Sequence, residues 1–117
     1  MPLPIRSALR DFIGRHQPFF ETTTSWGQGA VLLRECHYLS QELPPLEYVT
    51  SVRSLVFRND AVLVVRNREG WHVLPGGRRE EGETLESTLH RELKEETGCL
   101  IRSSRLLGFV HFHHLQP

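Results

Sequence analysis

Apolar residues recur at helical spacing near the start of the chain, alternate through its middle, and return to a helical stripe around residue 90. Ile5, Ala8, Leu9, Phe12 and Ile13 stand three and four apart, which predicts an amphipathic helix over Pro4–Arg15. Pro4 suits its first turn, and Gly14 and Pro18 end it. Such a helix either closes the domain's own core or offers a docking or dimer face. A polar stretch, Glu21–Gly29, precedes a predicted strand over Ala30–Leu33. Leu43-Pro44-Pro45-Leu46 reads as a linker, because neither proline can donate to a ladder.

From Glu47 the period shortens to two. Val52, Ser54 and Val56 alternate with Arg53, Leu55 and Phe57, and Arg58-Asn59-Asp60 turns the chain into a strand over Ala61–Arg66. Asn67-Arg68-Glu69-Gly70 supplies a second turn into Trp71–Val73, and Leu74-Pro75-Gly76-Gly77 halts regular structure. A helix follows over Thr84–Thr97, stopped by Gly98 as a left-handed cap. Thr84 suits the N-cap, with Ser87 where a full capping box carries Glu or Gln. A last strand is predicted over Leu106–His113, and no repeat or low-complexity tract interrupts the pattern. Strands and helices together predict an α/β (α+β) class.

Composition narrows the function classes. With 117 residues the chain suits one domain, and 38% hydrophobic with 24% charged residues suits a folded, soluble one. Its formal charge of zero provides no field for a nucleic-acid polymer or an anionic membrane. The longest aliphatic run, Ala61–Val65, is far short of the ~20 apolar residues of a membrane span. Met1-Pro2-Leu3-Pro4-Ile5-Arg6 lacks the apolar region of a signal peptide. Cys36 and Cys99 match no zinc or redox spacing, which points to two free thiols in a reducing cytoplasm.

The acids are unevenly placed. Residues 77–99 carry seven of the 14, namely Glu80, Glu81, Glu83, Glu86, Glu92, Glu95 and Glu96, against Arg78, Arg79, Arg91 and Lys94. On a helical wheel Glu92 and Glu96 fall at the edge of the Leu85/Leu89/Leu93 stripe, away from the outward face of Glu86, His90 and Lys94. Three carboxylates at i, i+3 and i+4 repel one another unless a cation compensates. Oxygen-only ligands at this spacing suit a hard ion such as Mg²⁺ or Mn²⁺; the plainer reading is a solvated acidic face. Ahead of the helix, Pro75-Gly76-Gly77 lets the backbone approach a ligand closely, and helix-start amides can meet phosphate oxygens. Glu83 stands where the helix dipole favours negative charge.

Gly77, Glu83 and Arg91-Glu92-Leu93-Lys94-Glu95-Glu96-Thr97-Gly98-Cys99 together form a complete Nudix box, with Leu93 and Cys99 in its two hydrophobic positions. Trp71–Gly77 also resembles the strand that leads into the box in that family. The resemblance implies an α/β/α Nudix sandwich with a mixed sheet. It also implies a hydrolase that cleaves the diphosphate linkage of a small-molecule nucleoside diphosphate derivative by water attack on phosphorus, with Mg²⁺ or Mn²⁺. Residue by residue it assigns Glu92, Glu95 and Glu96 to the metal, with the Gly76 carbonyl beside them. Arg91 resembles the family's orienting arginine, paired with box glutamates such as Glu83. Glu96 is the first candidate for general base and Glu83 the second, although some relatives take that glutamate from a later loop.

The implied organisation is an N-terminal helix-and-strand extension over residues 1–46 and a partial Nudix domain over 47–117. A full Nudix domain carries further strands and a second helix after the last strand predicted here. The expectation is a truncated form, in preference to replacement strands from residues 1–50 or completion by a partner. Exposed edges and uncovered leucines would then favour a homodimer or aggregation. The alternative function is a non-catalytic Nudix-like module binding a nucleotide or protein, or an inactive truncated form.

Lesser signals each have a plainer reading. His111 and His113 share a strand face, but no acid or cysteine adjoins them in sequence, so an exposed terminal strand is expected rather than a metal site. Trp26 suits base stacking but more ordinarily packs. Arg53, Arg66 and Arg68 can hold a phosphate or carboxylate at a sheet edge, or simply serve solubility.

Overall fold

Threonines 22–24 lie in a strand, although the surrounding stretch is polar. In the computed structural model, which describes residues 3–67, 70–72 and 74–115 (backbone alone for 3–7, 67, 71 and 72), Phe20–Trp26 forms β1. The other elements, in chain order after helix α1 (Leu3–Gly14), are β2 (Val31–Leu39), a 3-10 turn at Leu46–Tyr48, β3 (Ser51–Arg53) and β4 (Phe57–Arg58). Then come β5 (Ala61–Val62), β6 (Val65–Asn67), β7 (Gly70–His72), β8 (Gly76–Arg78), helix α2 (Leu85–Thr97) and β9 (Gly108–His114). These make an α+β fold in two compact units, Met1–Tyr48 with Arg105–Pro117, and Val49–Ser104. Readings that rest on Met1, Pro2, Arg68, Glu69 and Val73 lie outside the described residues.

The first unit is a three-stranded antiparallel sheet in the order β1-β2-β9, with α1 packed on it. Glu21–Gly29, read from the sequence only as a polar stretch ahead of a strand, is itself a strand as far as Trp26 because each residue from Phe20 to Trp26 has a partner in β2. β-branched threonines suit a pleated surface once a neighbour supplies the ladder. Gly27, Gln28 and Gly29 all take positive φ, closing the hairpin into β2. β2 extends to Leu39, well past the predicted Leu33. Phe12 of α1 is buried and lies 5.4 Å from Phe109, which stacks on Tyr38 at 4.6 Å. His16 closes the end of α1 by donating from Nδ1 to the Phe12 carbonyl at 2.8 Å.

The second unit holds three short antiparallel pairs, β3–β8, β4–β5 and β6–β7, with α2 against β8 and β3. The predicted runs Val52–Phe57 and Ala61–Arg66 are each broken, into β3 and β4 and into β5 and β6. Gly76-Gly77, expected to halt regular structure, instead pairs with Arg53 and Val52 as β8. Gly76 takes φ 150°, and a Cβ there would collide with the Val52 carbonyl, so only glycine permits this approach.

The ends of α2 follow the sequence closely. Thr84 Oγ1 accepts from the Ser87 amide at 3.0 Å while Ser87 Oγ accepts from the Thr84 amide at 2.9 Å. Serine thus completes the box that Glu or Gln usually fills. Gly98, in the left-handed region, donates its amide to the Lys94 carbonyl at 2.9 Å. Leu93, 1% exposed, anchors the apolar face; burial of such a side chain contributes about 1.5–3 kcal/mol.

Candidate active site in the loop and helix around Glu83 and Arg91

Arg91 leaves the second turn of α2 and gathers the preceding loop. Its Nε donates to Glu83 Oε2 at 2.7 Å and its Nη2 to Glu83 Oε1 at 2.9 Å. Nη2 also donates to the Arg78 carbonyl at 3.0 Å, and Nη1 to Glu92 Oε1 at 3.0 Å. Glu95 and Glu80 stand farther off, at 3.5 and 3.6 Å from Nη1. A planar guanidinium thereby ties one loop carboxylate, the carbonyl at the end of β8 and one helix carboxylate into a fixed arrangement.

Glu83 is held from other directions as well. The Glu80 amide donates to its Oε1 at 2.8 Å, and the Thr88 hydroxyl lies 3.1 Å from the same oxygen. Hydrogen bonding from Arg91 and then from the Glu80 amide holds its carboxyl down at about 2, from an ordinary 4.5. The same pairing with Glu83 raises Arg91. Arg79 closes the loop over this pair, donating from Nη1 to the Glu83 carbonyl at 2.9 Å and from Nε to the Val49 carbonyl at 3.1 Å. Arg79 and Thr88 escaped the sequence reading. Thr88 is wholly buried, and its only signal was a hydroxyl one turn from the N-cap.

Of the three helix carboxylates, Glu92 alone is drawn inward. Its side chain is 16% exposed, and its carboxylate occupies the space that a Cβ on Gly77 would fill. Glu95 is 61% exposed and Glu96 is exposed too, although the wheel placed Glu96 at the edge of the leucine stripe. The Gly76 carbonyl accepts from Arg53 Nη1 at 3.2 Å. This is the contact that the sheet-edge reading of Arg53 lacked.

The groups that the box resemblance assigns to a metal, the Gly76 carbonyl, Glu92, Glu95 and Glu96, would offer only oxygen, which suits a hard divalent cation, and the cradle at Gly77 brings one of these carboxylates beside the glycine loop. Among the described residues no three His, Cys, Asp or Glu side chains converge on one point. The terminal histidines do not form such a group either: the His111 and His113 rings lie 6.1 Å apart, and burial pushes His111 down. Trp26 packs on Phe112 at 5.0 Å. Both cysteines are free; Cys36 is buried, donates to Glu21 Oε1 at 3.4 Å and is raised chiefly by burial. No helix among the described residues is long and apolar enough to cross a membrane.

A NUDIX domain matches residues 47–117. An uncharacterized Nudix hydrolase of Bacillus subtilis, YvcI, is 36% identical over 69 residues, covering 57% of this chain and 44% of that protein. The ADP-ribose pyrophosphatase of Methanocaldococcus jannaschii is 34% identical over 67 residues, covering 54% and 40%. The NAD-capped RNA hydrolase NudC of Salmonella agona is 33% identical over 95 residues, covering 77% and 34%, and that alignment takes in residues ahead of Glu47. The chain spans less than half the length of each of these relatives. No solved structure matches it significantly. With a complete box folded as one loop–helix unit and more than half of its residues matched, the chain belongs to the Nudix family.

Proposed function

We propose that the chain is a divalent-metal-dependent Nudix hydrolase that opens the diphosphate linkage of a nucleoside diphosphate derivative. The observation that carries this reading is the Arg91 lock, which sets Glu92 against Gly77, the residue that follows Gly76. Glu92, Glu95, Glu96 and the Gly76 carbonyl would hold Mg²⁺ or Mn²⁺. Such an ion, when bound, neutralises charge on the diphosphate and lowers the pKa of the attacking water.

The chain's own residues then divide into two groups. Arg91 and Glu83 fix the loop on α2, so that the ligand carboxylates start from a set geometry. Glu83 is a weak proton acceptor, because its carboxyl, held near 2, already receives hydrogen bonds from Arg91 and the Glu80 amide. That favours Glu96, exposed on α2, as the general base within the box.

The substrate class follows the chemistry of the named relatives, since both ADP-ribose and an NAD cap contain a diphosphate. A formal charge of zero argues against coating a polymer, but it leaves a single capped end acceptable as a target. One observation favours the second reading, a non-catalytic nucleotide-binding module: Glu95 and Glu96 point to solvent instead of closing on Glu92. The test is product formation from a panel of nucleoside diphosphate derivatives with Mg²⁺, Mn²⁺ or EDTA. Metal-dependent cleavage that EDTA stops supports the hydrolase. Failure of a folded, metal-binding sample on every substrate supports the module.

A further inference from the structure

We propose that Arg53 guards the Gly76 carbonyl: its guanidinium occupies that oxygen when no cation is bound, must release it for a divalent ion to enter, and then serves the diphosphate. The inference rests on the metal reading proposed above and adds to it a residue outside the box.

Three features lead there. Arg53 and Gly76 face each other across β3 and β8, and Arg53 Nη1 donates to the Gly76 carbonyl at 3.2 Å. The backbone at Gly76 lies tight against β3, because a Cβ there would meet the Val52 carbonyl and lie 2.9 Å from Arg53 Cα. The neighbouring Pro75 carbonyl is also pinned, accepting from the Ser54 amide at 2.9 Å and from Ser54 Oγ at 3.3 Å. The acceptor belongs to backbone paired between two strands, while the guanidinium of Arg53 sits at the end of an exposed, long side chain.

A guanidinium and a divalent ion on one carbonyl oxygen repel each other, and the mobile partner is the one that yields. Once displaced, Arg53 stands beside the cation, where its charge is unfavourable until an anion arrives. A diphosphate supplies that anion, and its oxygens match the guanidinium fork. Arg53 thus opposes binding of the cation alone and favours binding of cation and diphosphate together.

The test compares wild type with Arg53→Met and Arg53→Gln in two titrations. In the first, Mn²⁺ is added without substrate and free Mn²⁺ is read by electron paramagnetic resonance. Both variants should bind Mn²⁺ about tenfold more tightly than wild type, the worth of one charge-assisted contact. In the second, methylenediphosphonate is titrated calorimetrically in excess Mg²⁺, and both variants should bind it about tenfold more weakly. Opposite signs are the signature, since mere loosening of β3 and β8 would weaken both. Equal or weaker Mn²⁺ binding by whichever variant retains the wild-type circular dichroism overturns the proposal. Glu92→Gln separates the two levels: if it binds Mn²⁺ as well as wild type, the metal site itself is misassigned.

Discussion

Arg91 and Glu83, eight residues apart in sequence, are joined side-on by two parallel hydrogen bonds of 2.7 and 2.9 Å. The pair fastens the loop after β8 onto α2, and the remaining guanidinium nitrogen reaches Glu92 at 3.0 Å. One side chain thus links the fold of the box to the placement of its inward carboxylate. Arg91→Lys keeps the charge but loses the fork. It should lower the melting temperature by several degrees and reduce hydrolysis on the order of 100-fold, the usual cost of misplaced reacting groups. Thermal melts and kcat/KM on the same preparations check both.

Glu83 gives the stability a defined acid dependence. Its folded pKa of about 2 lies below the ordinary 4.5, so its contribution is complete above about 4.5 and is lost as the pH falls toward about 2. The melting-temperature gap between wild type and Glu83→Gln should be widest near neutrality and narrow steadily across that window. A gap that stays constant down to pH 2 would show that the carboxylate acts without its charge.

The two adjacent glycines should respond differently to alanine. Gly76→Ala drives a methyl into the Val52 carbonyl at a positive φ, and it should destabilise the chain by about 2–5 kcal/mol in denaturant titration. Gly77→Ala meets first the flexible end of Glu92. It should leave stability within about 1 kcal/mol while displacing that carboxylate, so that Mn²⁺ affinity and hydrolysis fall together.

Thr88 is wholly buried, with its hydroxyl 2.9 Å from the Thr84 carbonyl and 3.1 Å from Glu83 Oε1. Thr88→Val preserves shape but removes the donor, and should cost about 1–3 kcal/mol. Thr88→Ser keeps the donor and should recover part of that loss. Chemical denaturation of the three proteins at neutral pH tests the order.

Removing the charge of Glu92 isolates the chemistry from the fold. Glu92→Gln retains the volume over Gly77 and a carbonyl acceptor for Arg91, so the melting temperature should shift by only a few degrees. Hydrolysis should fall by about 10²-fold or more if the carboxylate holds the ion, as expected when a group that stabilises developing charge is lost. Activity equal to wild type would refute that role.

Residue order made legible the features that depend on near neighbours. The span of α2, its Thr84 cap and its Gly98 stop rest on bonds between positions three or four apart. Such contacts are set by local chain geometry, so the order of residue types suffices. The tertiary structure alone decided the rest. Residues 20–26 are a strand because β2 supplies a partner for each, and β9 finds its ladder on β2, more than sixty positions back. The Arg53 contact to Gly76, the inward turn of Glu92 over Gly77 and the outward turn of Glu96 likewise depend on β3 and β8 meeting beneath α2. Pairing of distant strands carries no local signature, because each strand's hydrogen-bonding groups are satisfied by whichever edge the fold brings to it.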